Sequence, residues 1–179
     1  KRVRKYTYAE ELNYIVSHTK RNKFIEKLCK TIKGNTLVLF QLVDKHGVLL
    51  YNELKKLDKK VFFVYGGTTA ETRERIRAIV EKEKDSLIIA SYGTFSTGIN
   101  IRNINNVVFA SPSKSRVRVL QSIGRGLRQT KDKTMVRLFD VSDNISYKSR
   151  QNFTYRHFTE RLNIYKEEQF KYEINRINL

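Results

Sequence analysis

Residues 87–111 read LIIASYGTFSTGINIRNINNVVFAS, and the fold is decided by how this stretch is read. Its two ends, Leu87–Ser91 and Val107–Ser111, are short and apolar at nearly every position. A strand with one wet face alternates; a continuously apolar run is buried on both faces, as in a parallel sheet. The segment between them is rich in glycine and hydroxyl residues and carries no long helical pattern. Working outward, the same kind of run recurs at Thr36–Gln41 (TLVLFQ), Val61–Tyr65 (VFFVY) and Met135–Val141 (MVRLFDV). Helical patterns separate them. Asp44 is placed to cap one running to about Leu57. Thr68 and Glu71 form a capping box for a second, to about Lys84. Pro112 and Ser113 precede a third, to about Gln129. This alternation predicts right-handed βαβ units and a three-layer α/β domain with a mostly parallel sheet.

Two flanks stand outside the alternation. Tyr8 to Ile32 reads as one or two helices leading into the first strand. Phe153 to about Ile177 reads as a helical arm whose Tyr155, Phe158, Leu162 and Tyr165 share one packing face. The expected organisation is a helical lead-in over 1–33, the α/β domain over 34–145 and a helical extension over 146–179.

Lys and Arg number 36 against 18 Asp and Glu, a net charge of +18. The field of such a surface attracts polyanions, with DNA or RNA the first candidates. Cys29 is the only cysteine. It excludes an intrachain disulfide and a cysteine cluster for zinc, and it reads as a small core residue beside Leu28 and Ile32. His18, His46 and His157 show no metal-ligand spacing. No apolar run approaches the ~18 residues of a membrane span, so a cytoplasmic protein with no membrane partner is expected.

In a doubly wound sheet, ligands bind at the carboxyl ends of the strands. The informative residues should therefore follow Gln41, Tyr65, Ser91 and Ser111. The sharpest signal is Gln121-Ser-Ile-Gly124-Arg125-Gly-Leu-Arg128. On a helix, positions 121, 124, 125 and 128 share one face, while Val119, Ile123 and Leu127 fall on the other. Two arginines then project together beside a glycine that keeps the surface low. Like charges so placed repel unless an anion lies near them, and guanidinium forks match phosphate oxygens; taken alone, the pair reads as readily as an exposed basic helix face. Upstream, the loop Ser91–Ile101 can present backbone N–H groups and the hydroxyls of Ser91, Thr94 and Thr97 to phosphates. Gly66 and Gly67, before a helix start, would let a phosphate approach closely.

These pieces resemble superfamily 2 helicases. Q-x-x-G-R-x-x-R at 121–128 is similar to that family's motif VI, and Gly98 and Asn100 fall where motif V has Gly-x-Asp/Asn. Leu37–Gln41 resembles motif IV. Tyr65-Gly66-Gly67 followed by Arg73 resembles motif IVa. The four stand in the family's order, over about Thr36 to Val141, and the wording resembles helicases of phage recombination. The resemblance implies the second RecA-like domain of an ATP-dependent DNA helicase or translocase that unwinds or branch-migrates recombination and replication intermediates. It implies Arg125 and Arg128 as catalytic, either one being the arginine finger. Gln121, Gly98, Asn100 and Gly124 would lie at the nucleotide, and Gly66, Gly67, Arg73, Ser91, Thr94 and Thr97 at the nucleic-acid backbone. Asn100 stands where the family commonly has Asp, and it cannot act as a carboxylate. The implied partners are branched or junction DNA, RNA–DNA hybrids, and a first RecA-like domain of the same polypeptide. The chain has no G-x-x-x-x-G-K-[ST] loop and no Asp-Glu box. ATP and Mg2+ are thus expected to be held mainly by that first domain, and this part alone is expected to be inactive. The rival reading is a non-catalytic basic α/β module that binds nucleic acid without regard to nucleotide.

Overall fold

The computed structural model describes residues 6–98, 101, 103–112 and 136–179. Five strands form one all-parallel sheet: β1 (Thr36–Phe40), β2 (Lys60–Val64), β3 (Ser86–Ser91), β4 (Asn106–Phe109) and β5 (Arg137–Asp140). Their order is β2-β3-β1-β4-β5. Every residue of β1, β3 and β4 is buried, which is why those runs are apolar almost throughout. Val38 at the centre lies between Ile89 and Val108.

Successive side chains leave a strand on opposite faces, and two cores result. On one face Leu37, Leu39, Ile88, Ala90 and Phe109 pack with Val80 of α4 (Ala70–Val80), Tyr92 of α5 (Tyr92–Gly98) and Tyr165 of α6 (Phe153–Glu167). On the other, Val38, Phe40, Ile89 and Val108 meet Ile25 and Cys29 of α2 (Thr19–Thr31) and Leu50 and Leu54 of α3 (Val48–Leu54). Cys29 is the expected core residue; burial pushes its thiol up to about 12, against the opposing charge of Lys59. Such a thiol is inert. Among the described residues no helix is long and apolar enough to cross a membrane.

Three local expectations are corrected. The helix after β1 opens with a π-helical turn over Val43–Gly47, and Asp44 lies inside that turn with no side-chain cap formed there. Gly47 explains the tight approach: a Cβ there would come within 2.5–2.9 Å of the Phe40 ring. At α4 the cap is Thr69, whose side chain accepts from Thr72 N. The Thr68 hydroxyl instead accepts from Tyr65 N and closes the preceding turn. The terminal arm ends at Glu167 rather than near Ile177. Gln169 takes a left-handed φ of 57°, and the chain turns back so that Phe170 N donates to Tyr165 O.

The flanking helices are tied to the sheet by buried polar groups. Glu11 of α1 (Tyr8–Ser17) is buried. It accepts hydrogen bonds from Phe153 N, Thr154 N, the Thr154 hydroxyl and the Asn152 amide at the start of α6. Burial works to raise its pKa, but those bonds outweigh it and hold the carboxyl below its usual value. A carboxylate at a helix N-terminus also meets the favourable end of the dipole. Arg21 of α2 donates from Nη1 to Ala110 O at 2.7 Å, from Nε to Asp143 at 2.8 Å and from Nη2 to Val141 O at 3.3 Å.

The π-turn aims His46 inward, fully buried. Its Nε2 lies 3.2 Å from Asn22 Oδ1 and its Nδ1 2.6 Å from Ser111 Oγ. The Asn22 amide nitrogen donates to Val16 O, so Oδ1 is the acceptor facing Nε2–H. The bare Nδ1 then accepts from the Ser111 hydroxyl, whose oxygen accepts from Gln41 N. The chain of donors runs one way, from β1 through Ser111 and His46 to the lead-in helices. Burial, with the nearby positive charge of Arg21, pushes the His46 pKa down to about 3.

His46 therefore stays neutral in the fold across the range where an unfolded histidine gains its proton, near pH 6.5. Its contribution is fully present above pH 6.5 and is lost as pH falls from there toward 3, at up to about 1.4 kcal/mol per pH unit. Urea unfolding at pH 7.5 and 5.0 should show a clear acid loss of stability, and His46→Gln should reduce that loss. Equal acid sensitivity in both proteins would refute the neutral buried imidazole.

Candidate functional site

Because all five strands are parallel, their carboxyl ends collect at one edge, and the chain leaves it at Gln41, Tyr65, Tyr92, Ala110 and Val141. The expected loops therefore share this edge. After β2, Thr68 N donates to Tyr65 O across Gly66 and Gly67. Neither glycine has a positive φ; among the described glycines that conformation belongs to Gly34. What sets Gly66 apart is open space, since a Cβ there would meet nothing within 4 Å. Its backbone is approachable, as a phosphate contact would require. Arg73 lies on the second turn of α4, half-buried, and its Nε is shielded from solvent without a hydrogen-bond partner.

After β3 the geometry differs from the expectation of outward hydroxyls. Ser91 and Thr94 are buried, and their hydroxyls lie 2.7 Å apart. Ser91 Oγ also accepts from Thr94 N, so the pair shapes the start of α5. A one-turn hydroxyl spacing after a buried strand is a capping pattern as readily as a ligand pattern. The backbone of Thr97 and Gly98 forms the end of α5. Asn100, Gln121, Gly124, Arg125 and Arg128 lie outside the described residues.

The point where the chain leaves β4 toward that arginine-bearing segment is described. Ser111 is fully buried. Its hydroxyl bonds Gln41 N and His46, and its carbonyl accepts from the Tyr92 hydroxyl at 2.9 Å. The ends of β1, β3 and β4 are thus joined through one residue. Beside them, Asp140 at the end of β5 accepts from Arg161 Nε at 2.7 Å and Nη2 at 2.9 Å, and from the Tyr165 hydroxyl at 2.7 Å. Burial works to lower the Arg161 pKa, but the charge of Asp140 outweighs it and the guanidinium is held above its usual value. Its Nη1 is buried without a partner, while its guanidinium also lies over the Phe158 ring. Sequence reasoning missed Arg21, His46, Asp140 and Arg161. No spacing marks them, because their partners lie as far as 122 residues away along the chain.

Comparison with known proteins agrees with this architecture. Residues 19–130 match the family model described as "Helicase conserved C-terminal domain". The chain is 36% identical over 186 residues to the "ATP-dependent DNA helicase uvsW" of Enterobacteria phage T4, covering 97% of this chain and 37% of that protein. The crystal structure of T4 UvsW superposes with a TM-score of 0.76 at 35% identity, over 91% of this chain and 35% of that one. The C-terminal domain of the DEAD-box protein Dbp5 shares the fold, with a TM-score of 0.60 at 17% identity over 85% of this chain and 80% of that one. This chain thus spans little more than a third of its T4 relative. With a parallel RecA-like sheet, the family match and the T4 likeness in agreement, the chain belongs to the helicase C-terminal domain family, the second RecA-like domain of superfamily 2 helicases.

Proposed function

We propose that this chain is the second motor domain of an ATP-dependent DNA helicase or translocase acting on branched recombination and replication intermediates. The observation that carries the reading is the shared carboxyl edge. It gathers the Gly66–Gly67 turn and the loop after Ser91, and from it, at Ser111, the chain enters the segment bearing Gln121, Gly124, Arg125 and Arg128.

In this reading Arg125 and Arg128 reach across a cleft to ATP held mainly, with Mg2+, by a first RecA-like domain. The phosphoryl group comes from ATP; this chain supplies guanidinium forks that suit its oxygens. Gln121, Gly98 and Asn100 line the nucleotide side. Asn100 donates or accepts a hydrogen bond but removes no proton. Gly66, Gly67 and Arg73 hold the nucleic-acid backbone, and the Ser91–Thr97 loop contributes through backbone N–H groups, with Ser91 and Thr94 shaping it. Phosphate contacts carry no sequence information, so the motor selects structure rather than sequence. Junction DNA, and RNA–DNA hybrids with similar backbones, are the expected substrates, in the cytoplasm of the host cell.

Arg128→Ala in the full-length polypeptide should lower DNA-stimulated ATP turnover by about 10³-fold or more while leaving DNA affinity nearly intact. Arg125→Ala falls in the same class. Lys at position 128 should rescue poorly, because a point charge cannot reproduce a planar fork. ATPase at saturating DNA, measured beside DNA affinity, decides it: near-normal turnover in both alanine variants would remove the reading.

The 179-residue chain alone should bind DNA with steep salt dependence, about 0.9 in the log–log slope per duplex phosphate contact, and show no ATPase above background. Robust turnover by the purified fragment would contradict the division of labour between two domains.

A further inference from the structure

We propose that the outward face of α2 is a second contact for nucleic acid, a lysine rail that lies along the backbone of duplex DNA. Lys20, Lys23, Lys27 and Lys30 are spaced three, four and three residues apart, so they share one face of α2. All four are exposed, while Arg21, Ile25 and Cys29 bury the opposite face. Rising 1.5 Å per residue, the rail is about 15 Å long. It continues into a groove lined by Lys30, Lys33, Lys56 and Lys59, with Leu57 and Asp58, at the amino edge of the sheet. This place is not the carboxyl edge that carries the motif loops.

A solvated helix face ordinarily pairs its signs; α2 carries one acidic residue, half-buried Glu26, three residues from Lys23 and four from Lys30. Here none of Lys20, Lys23, Lys27 and Lys30 has an ion-pair partner among the described residues, whereas lysines nearby do: Lys59 with Asp85 at 2.9 Å and Lys56 with Glu53 at 2.9 Å. The rail also works against its own helix. Like charges at i,i+3 and i,i+4 cost a few tenths of a kcal/mol each. The first turn has no acidic residue, and cations there oppose the helix dipole. Lys30 in the last turn suits the dipole, but Lys20 in the first turn and the repulsion among the four oppose the helix. A polyanion along the face removes the repulsion.

The chemistry of the face chooses the occupant. Single-stranded nucleic acid is held by stacking on aromatic rings, and a membrane surface by apolar side chains beside the basic ones. The exposed face of α2 has neither, since Phe24 and Leu28 are half-buried against the sheet. What remains suits a backbone whose charges repeat regularly and whose bases are hidden. Duplex DNA carries one phosphate charge per about 1.7 Å of its axis, counting both strands, so a rail of about 15 Å lies beside several of them. The choice of DNA over RNA rests on the proposed helicase reading; the choice of a duplex rests on the face itself.

The test uses the full-length polypeptide with Lys20, Lys23, Lys27 and Lys30 all changed to alanine, which favours the helix. A control removes equal charge elsewhere: Lys148, Lys166, Lys171 and Arg176 to alanine, all exposed. Affinity is measured across a salt series on a blunt duplex of about 30 base pairs and on oligo-dT of equal length. The rail variant should lose about tenfold or more in duplex affinity near 0.1 M salt and reduce the duplex salt slope by up to about 3.5, at about 0.9 per contact. Oligo-dT affinity should change little, and so should ATPase at saturating oligo-dT. The control should lose far less on the duplex. Unchanged duplex binding in the rail variant, or equal losses in rail and control, would overturn the proposal. If the unaltered protein shows no DNA-stimulated ATPase, the helicase reading fails while the duplex titrations still decide the rail.

Discussion

Neighbouring parallel strands cannot be joined by a tight turn, because each begins at the same edge as the one before. Such connections must cross a face of the sheet and come back, and the described ones cover it. With β1 at the centre between β3 and β4, the crossings fall on both sides. That is why the central strands are buried on two faces and why two cores exist instead of one. The same constraint brings all five strand ends to one edge. An edge where strand-end loops gather in this way is a consequence of parallel pairing before any particular residue is considered.

Strand ends carry backbone groups that need partners once covered. This chain supplies many of them from buried side chains. Arg21 takes Ala110 O and Val141 O, and Tyr92 takes Ser111 O. Arg161 with Tyr165 fixes the Asp140 carboxylate. Burying a guanidinium costs desolvation that an ion pair only roughly repays, so such pairs contribute little net stability compared with apolar packing. Their effect is directional: a planar fork with two or three partners has one orientation, whereas a leucine in its place would permit several. The edge is held in register from both sides by residues of the lead-in and terminal helices.

The sheet was legible because continuous apolar runs have a direct physical meaning, and all five strands lie within two residues of their expected bounds. Boundaries set by small competing hydrogen bonds were harder. Thr68 and Thr69 are both able to cap α4; Thr69 does so, because the Thr68 hydroxyl closes the turn after β2. Asp44 looked like a cap, but it lies inside a π-helical turn that ends where Gly47 packs closely on Phe40. Least legible was the attachment of the flanks. No motif or spacing singles out Glu11, Arg21 and Arg161 in the sequence, yet all three are buried. Their partners are distant in the chain, and single-sequence periodicity carries no information about them. For the candidate site, the strand-end loops were found by the rule for parallel sheets, while the inward turn of Ser91 and Thr94 depends on local bonding that spacing leaves ambiguous.

The charge of the chain divides along the same line. Two arginines are used inside, where Arg21 and Arg161 each engage several fixed acceptors. Lysines crowd the outer face of α2, where no fixed acceptor is offered. The division follows from the two side chains. A guanidinium fork rewards one geometry and penalises the rest, whereas an ammonium on a flexible stem accepts an anion from many directions. Residues that must hold an edge still are better as arginine. A flexible ammonium suits an anion whose position is not fixed, because no single register is preferred. The net charge of +18 therefore says little until it is located. The buried cations are part of the fold's own bonding, and the exposed lysines of α2 are a portion of the excess left free to meet a polyanion.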